Sequence, residues 1–172
     1  MPPLASVDTV CLMGEGPGPE AGSHAGPKKV RIVLAEDHRV VRRGLQLVLD
    51  SEPAFEVVAQ VGDIGLVRGC LRKHAPDVLV LDLNMPGGAS LPMIPQLRTE
   101  MPNTQIVVLT VEKDVEIVRE VRRAGALGFV RKEDAESDLV QAIRAAAAGQ
   151  GYLNRQLAAR LVASRSATEL PD

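Results

Sequence analysis

Five side chains able to handle a charged group stand at or just past the ends of short apolar runs in this chain. Glu36 and Asp37 follow the run Val30 to Ala35, and Asp82 follows Val78 to Leu81. Thr110 closes Gln105 to Thr110, and Lys132 comes soon after Gly128 to Val130. In an open parallel sheet, ligands bind outside the carboxyl ends of the strands, so these residues would converge at one edge. Clustered carboxylates repel one another unless a cation sits among them, and hard oxygen ligands suit Mg²⁺. With a metal present, one carboxylate can act as nucleophile toward phosphorus, while Thr110 donates to a phosphoryl oxygen and Lys132 neutralises its charge. The implied chemistry is phosphoryl transfer to an aspartate. Asn84 and Glu112 lie two residues past Asp82 and Thr110, where they would flank an attacking water and set the rate of hydrolysis.

Each residue also has an ordinary role to weigh. Asp37 could cap a helix or form a turn, and Glu36 could be a solvated charge. Thr110 could reflect strand propensity, and Lys132, between Arg131 and Glu133, could belong to a surface charge run. Asn84 could be present for its turn propensity and Glu112 as a solvated loop residue. It is the placement at successive strand ends that favours the chemical reading.

The elements needed to position them are legible from hydrophobic pattern. From Val30 onward, apolar runs alternate with helical segments, the signature of repeated βα units and a parallel sheet. Five strands are predicted: Val30 to Ala35, Phe55 to Val61, Val78 to Leu81, Gln105 to Thr110 and Gly128 to Val130. The expected fold is a doubly wound, flavodoxin-like α/β unit, (βα)5, with helices on both faces. Val41, Leu45 and Val48, and later Leu139, Ile143 and Ala146, recur at helical spacing and predict buried faces. Asp114 predicts a helix start and Ala124-Gly125 a stop. Pro92 and Pro95 restrict the third helix, because only first-turn positions tolerate proline well.

Three segments result. Residues 1–28, rich in Gly and Pro, read as a disordered leader, and Gly14-Glu15-Gly16 lacks the strand and helix a nucleotide loop requires. Residues 29–150 form the α/β domain. Residues 151–172 read as a linker with a short helix from Asn154 to Val162, Leu157 and Leu161 on one side, leading toward a possible further domain.

Composition narrows the function classes. The 172 residues suffice for one core, which must be aliphatic because aromatics are 2% of the chain. A net charge of -2 and the absence of Trp argue against nucleic-acid binding by a basic field or by base stacking. Cys11 and Cys70 have no metal-ligand spacing and read as free thiols. No apolar run is long enough for a membrane span and no signal peptide opens the chain, so a cytoplasmic location is expected. His24, His38 and His74 share no face or ligand spacing, and none looks catalytic.

Four motifs carry a family resemblance: Ala35-Glu36-Asp37-His38, Val80-Leu81-Asp82-Leu83-Asn84-Met85-Pro86-Gly87, Val107-Val108-Leu109-Thr110, and Ala124 to Lys132. Together they resemble the receiver domains of bacterial two-component response regulators, over about Lys29 to Gly151. The subfamily most resembled has a LuxR-type helix-turn-helix output, as in NarL-like and FixJ-like regulators. The resemblance implies that Asp82 takes a phosphoryl group from a sensor histidine kinase. It implies that Asp37 holds Mg²⁺ directly, Glu36 through water, and that Asp82 and the Asn84 backbone carbonyl complete the protein ligands. It further implies that Thr110 and Phe129 switch together and alter the face formed by the fourth helix, fifth strand and fifth helix. Val115, Val118 and Arg122 are expected on that face, and a phosphorylation-dependent homodimer would form through it. Phe129 stands where many relatives carry Tyr, and simple core packing is its ordinary role. Val111 is bulkier than the Ala frequent in relatives and would narrow phosphoryl access.

Such a chain is a phosphoacceptor signalling domain that catalyses its own phosphorylation and dephosphorylation rather than a conventional enzyme. DNA would be reached, and transcription controlled, only through a helix-turn-helix domain not found within these residues. Three readings compete. A haloacid-dehalogenase-like phosphatase needs a second Asp where Asn84 stands. An FMN binder would not place Glu36-Asp37 against a phosphate. A degenerate, non-phosphorylated receiver acting purely as a dimerisation module would not need the full set of Glu36, Asp37, Asp82, Thr110 and Lys132, while a receiver-only protein without DNA-binding output stays an open alternative.

Overall fold

The computed structural model describes residues 26–168. Cys11, His24 and the Gly14-Glu15-Gly16 stretch lie outside the described residues, as does the predicted leader up to position 25. Six parallel strands form one sheet in the order β2-β1-β3-β4-β5-β6. They are β1 (Val30–Ala35), β2 (Phe55–Val61), β3 (Val78–Asp82), β4 (Gln105–Thr110), β5 (Gly128–Arg131) and β6 (Tyr152–Leu153). The helices are α1 (Arg39–Asp50), α2 (Ile64–His74), α3 (Met93–Glu100), α4 (Val115–Ala124), α5 (Ala135–Ala147) and α6 (Arg155–Thr168).

The doubly wound α/β class is as predicted, with one strand more than expected. The sixth, Tyr152–Leu153, pairs with Gly128 and Phe129 of β5. Two residues carry no readable period, so this strand is defined by backbone pairing alone. The central strands β1, β3 and β4 are covered on both faces and are mostly apolar in both directions, whereas β2 at the sheet's edge carries the exposed Glu56. On one face Leu45 and Leu49 of α1 join Leu139, Ala142, Ile143 and Ala146 of α5. On the other, Val67 and Leu71 of α2, Ile94 and Leu97 of α3, Val118 and Val121 of α4, and Leu157 of α6 form the second core.

Three helix readings need correction. Val118 was expected on an exposed face, yet it is 1% exposed, because the inward stripe of α4 runs through Val118 and Val121. In α1 the deeply buried residues are Leu45 and Leu49, and Val48 is only half-buried. The triad Leu139, Ile143 and Ala146 is fully buried as predicted. α3 accommodates its prolines as the physics requires: Pro92 is the N-cap and Pro95 falls in the first turn, where an N–H has no helical partner to lose. Asp114 caps α4 by accepting from the Glu116 N–H, and Gly125 ends it at φ 110°, a left-handed conformation that glycine adopts without a Cβ clash. α6 runs to Thr168, beyond the short helix expected to end at Val162.

The order β2-β1-β3 puts the reversal of the sheet between β1 and β3. The first crossover carries the chain to one side of β1, and the next returns it to the other side. That is where a crevice opens at the carboxyl ends of the strands.

Candidate functional site

Glu36 and Asp37 leave β1 at this crevice, and Asp82 ends β3 beside them. Glu36 is fixed by its own backbone: its N–H donates to the Val61 carbonyl (3.0 Å), and its carbonyl accepts from the Arg42 guanidinium (2.7 Å). Asp82 is held at both ends of the residue. Its carbonyl accepts from the buried Ser90 hydroxyl (2.7 Å), and its Oδ1 accepts from the Asn84 N–H (3.0 Å). Residues beyond Asn84 are pinned in turn, since the Pro86 carbonyl accepts from Ile64 N–H at the start of α2 (3.2 Å). Gly87 sits at φ 93°, and a Cβ there would meet the Ile64 side chain at 2.9 Å, so this turn accepts only glycine without rearrangement.

Glu36 and Asp82 are both fully buried. A buried carboxylate is tolerated only with compensation, and Lys132 supplies part of it: its Nζ lies 2.8 Å from Glu36 Oε2 and 2.9 Å from Asp82 Oδ2. Burial alone would lower the Lys132 pKa, but hydrogen bonds and charge from Glu36 and Asp82 outweigh it, and the pKa is raised. Lys132 is therefore a fixed cation in the site.

Lys132 pairs with Glu36 and Asp82 but not with Asp37, so the three carboxylates formally carry two more negative charges than this one ammonium offsets. The Asp37 Oδ1 atom is buried and receives no hydrogen bond. Ligand atoms from Glu36, Asp37, His38 and Asp82 all lie within 4.8 Å of one another. A divalent cation with oxygen preference fits both the residual charge and the donors.

The remaining predicted residues are placed as follows. Thr110 is buried at the end of β4, and its Oγ1 accepts from the Glu112 N–H (3.1 Å). Asn84 and Glu112 expose their side chains, and Val111 is 61% exposed. Phe129 is buried in β5, opposite Val108 on one side and Leu153 on the other. Asp37 does not cap α1: the N-cap is His38, which makes no side-chain cap bond.

Three participants escaped the sequence reading. His38 was set aside, yet its Nδ1 lies 3.1 Å from Asp37 Oδ1 and 3.2 Å from Glu36 Oε1. Its adjacency to Glu36-Asp37 was the available signal. Ser90 and Arg42 act on backbone atoms, and nothing in their local sequence marks that. His74 is remote from this group; its pKa is lowered by burial first, then by Lys73 and Arg31.

Comparison with known proteins agrees with this geometry. Residues 32–144 match the response regulator receiver domain family. The oxygen regulatory protein NreC of Staphylococcus haemolyticus is 37% identical over 134 residues, covering 77% of this chain and 62% of that protein. The DNA-binding transcriptional activator DevR/DosR of Mycobacterium tuberculosis is 33% identical, covering 83% of this chain and 66% of that protein. The chain thus spans about two thirds or less of the length of these curated relatives. Among solved structures, a LuxR-family two-component response regulator from an Aurantimonas species superposes with a TM-score of 0.76 at 29% identity, over 81% of this chain and 99% of that one. The isolated receiver domain of RcsB from Salmonella enterica serovar Typhimurium, determined with the phosphomimetic BeF3⁻, gives 0.72 at 28% identity, over 78% of this chain and 99% of that one. Family match, relatives and fold agree: this chain belongs to the response regulator receiver domains, of the kind found in NarL-like, LuxR-family regulators.

Proposed function

We propose that Asp82 accepts a phosphoryl group from the phosphohistidine of a sensor histidine kinase, with Mg²⁺ held by Asp37, Glu36, Asp82 and the Asn84 backbone carbonyl. The observation that carries this reading is the buried Asp82 carboxylate, paired with Lys132 inside a cluster two charges short of neutrality. When bound, the cation would supply charge neutralisation for the incoming phosphoryl oxygens.

The chain's own groups do the rest. Asp82 is held by the Asn84 N–H on one oxygen and by Lys132 on the other, so its carboxylate is oriented before the donor arrives. One carboxylate oxygen forms the new bond to phosphorus as the bond to the donor nitrogen breaks, and the electron pair leaves with the imidazole. Lys132 then stands beside the added negative charge, and the Thr110 hydroxyl turns to donate to a phosphoryl oxygen. That turn is the proposed switch. Phe129, packed between β4 and β6, passes the change to the surface, which alters self-association.

Asn84 and Glu112 would flank the water that hydrolyses the aspartyl phosphate. Replacing Glu112 with an apolar residue is expected to slow loss of the phosphoryl group, followed by mass. Residues 29–150 are the receiver proper, and residues 151–172 lead toward an output domain through which DNA would be bound and transcription controlled. A cytoplasmic location follows from the kinase partner. Among the described residues no helix is long and apolar enough to cross a membrane.

Incubation with acetyl phosphate, with and without Mg²⁺, tests the reading. One phosphoryl group adds about 80 Da, and the gain is expected only with the metal. No gain under either condition would reject it.

A further inference from the structure

The outward face of α1 carries an apolar stripe that no other described residue covers. Val40 is 87% exposed and Leu47 66%, and with Gly44 between them they lie at i, i+4 and i+7 on one side of the helix. A Cβ on Gly44 would meet nothing within 4 Å, so the middle of the stripe is open. We propose that this face is the docking site for residues 4–13 of the same chain, an acidic and apolar segment that precedes β1.

Charge chooses the occupant. α1 holds Arg39, Arg42 and Arg43 against one acidic residue, Asp50, which already accepts from Gln46 (2.8 Å). Arg42 is committed to the Glu36 carbonyl, but Arg43 is exposed and has no acidic partner among the described residues. Residues 1–25 have the opposite character, with Asp8, Glu15 and Glu20 and no Lys or Arg. A second copy docking through the same face would bring two basic α1 surfaces together, which like charge disfavours.

The segment also brings the apolar groups that the stripe lacks. Leu4, Val7, Val10, Leu12 and Met13 stand on either side of Asp8. So small a set cannot bury a core of its own, but it can lie on a surface already folded. A docked segment withdraws Val40 and Leu47 from water and removes a patch that another protein would otherwise meet.

The point of entry into the sheet suits this docking. The Val30 N–H donates to the Ala54 carbonyl (2.8 Å) in the loop that follows α1, so β1 begins beside the end of the helix that carries Leu47. From there residues 14–29 can span up to about 50 Å. α1, with 12 residues, is only about 18 Å long. The connection therefore reaches the whole face, and it holds the segment at a high effective concentration, so weak contacts suffice.

The test attaches a nitroxide to Cys11 of the full chain and reads the paramagnetic loss of amide NMR signals. Cys70 is buried, and Cys11→Ser taken through the same labelling reports any reagent that reaches it. The amides of Val40, Arg43, Gly44 and Leu47 are expected to lose intensity relative to the reduced label, while those of α4 keep theirs. Arg43→Glu should lower the docked fraction about threefold and Leu47→Asp about tenfold. Both side chains are exposed, so the core resonances should stay in place. Asp8→Lys combined with Arg43→Glu should restore the loss. Unaffected amides along α1, or a loss that survives either single variant, overturns the proposal. Equal loss in isotope-labelled Cys11→Ser chains mixed with spin-labelled chains would assign the segment to a second copy and overturn it too.

Discussion

The reversal between β1 and β3 and the outer margin formed by β5, β6 and α6 are built from opposite materials. At the reversal, fully buried Glu36 and Asp82 are held by the Lys132 ammonium and by backbone N–H groups. At the margin, Leu157 and Leu161 are buried, Arg119 donates to Ser164 (2.6 Å), and two backbone pairings complete the sheet. The centre is a charge problem left unfinished by two negative charges. The margin is held mainly by apolar contacts, with Leu157 and Leu161 turned inward and Val162 exposed. Cations should therefore change the stability of the first and leave the second alone, whereas truncating an aliphatic side chain should do the reverse.

Lys132→Ala is the strongest way to break this contrast. Removing one partner from a buried ion pair costs about 3 to 5 kcal/mol, and denaturant unfolding should show a loss of that order. Added Mg²⁺ should recover part of it, because the cation takes over the compensation. The pH dependence follows the same logic. Since the folded-state pKa of Lys132 is raised, its contribution is complete below the ordinary lysine value of about 10.4 and is lost as pH rises through the folded value. Wild-type stability should fall in that alkaline window, and Lys132→Ala should lack this component.

Leu157→Ala sharpens the other side. Leu157 packs with Phe129 and Val121 in one core, so its truncation is expected to cost about 2 to 4 kcal/mol. Mg²⁺ should not restore it. A much smaller loss would mean that the margin unfolds separately from the sheet. The smallest effect concerns the start of α6, where Asn154 Oδ1 accepts from the Leu157 N–H (2.9 Å). Asn154→Ala removes that cap and should cost about 1 kcal/mol by the same unfolding measurement.

The two regions also differ in how far the sequence revealed them. The strands β1, β3 and β4 were readable because strands buried on both faces are written as nearly continuous apolar runs, and β2 and β5 because short apolar runs still stand out between helical segments. An acidic or hydroxyl residue terminating such a run stands out by type, which is why Glu36, Asp37, Asp82 and Thr110 could be named. At the margin the signals are weaker. β6 has no period to read, and Leu157 and Leu161 alone do not indicate that α6 reaches Thr168. Val118 was misread because consecutive apolar residues of α4 do not declare which of them turns inward. His38 and Ser90 were missed because their roles depend on where a ring or a hydroxyl points after the chain has turned. Such directions belong to tertiary structure.

The central claim is that the Asp82 carboxylate is the phosphoryl acceptor, and site mapping tests it most directly. The full chain is treated with acetyl phosphate and Mg²⁺, and the modified residue is located by peptide mass analysis in the wild type and in Asp82→Ala. The account predicts that the added mass resides in the peptide containing Asp82 and is absent from the variant. Modification mapped to another residue, or labelling of Asp82→Ala at the wild-type rate, would contradict it.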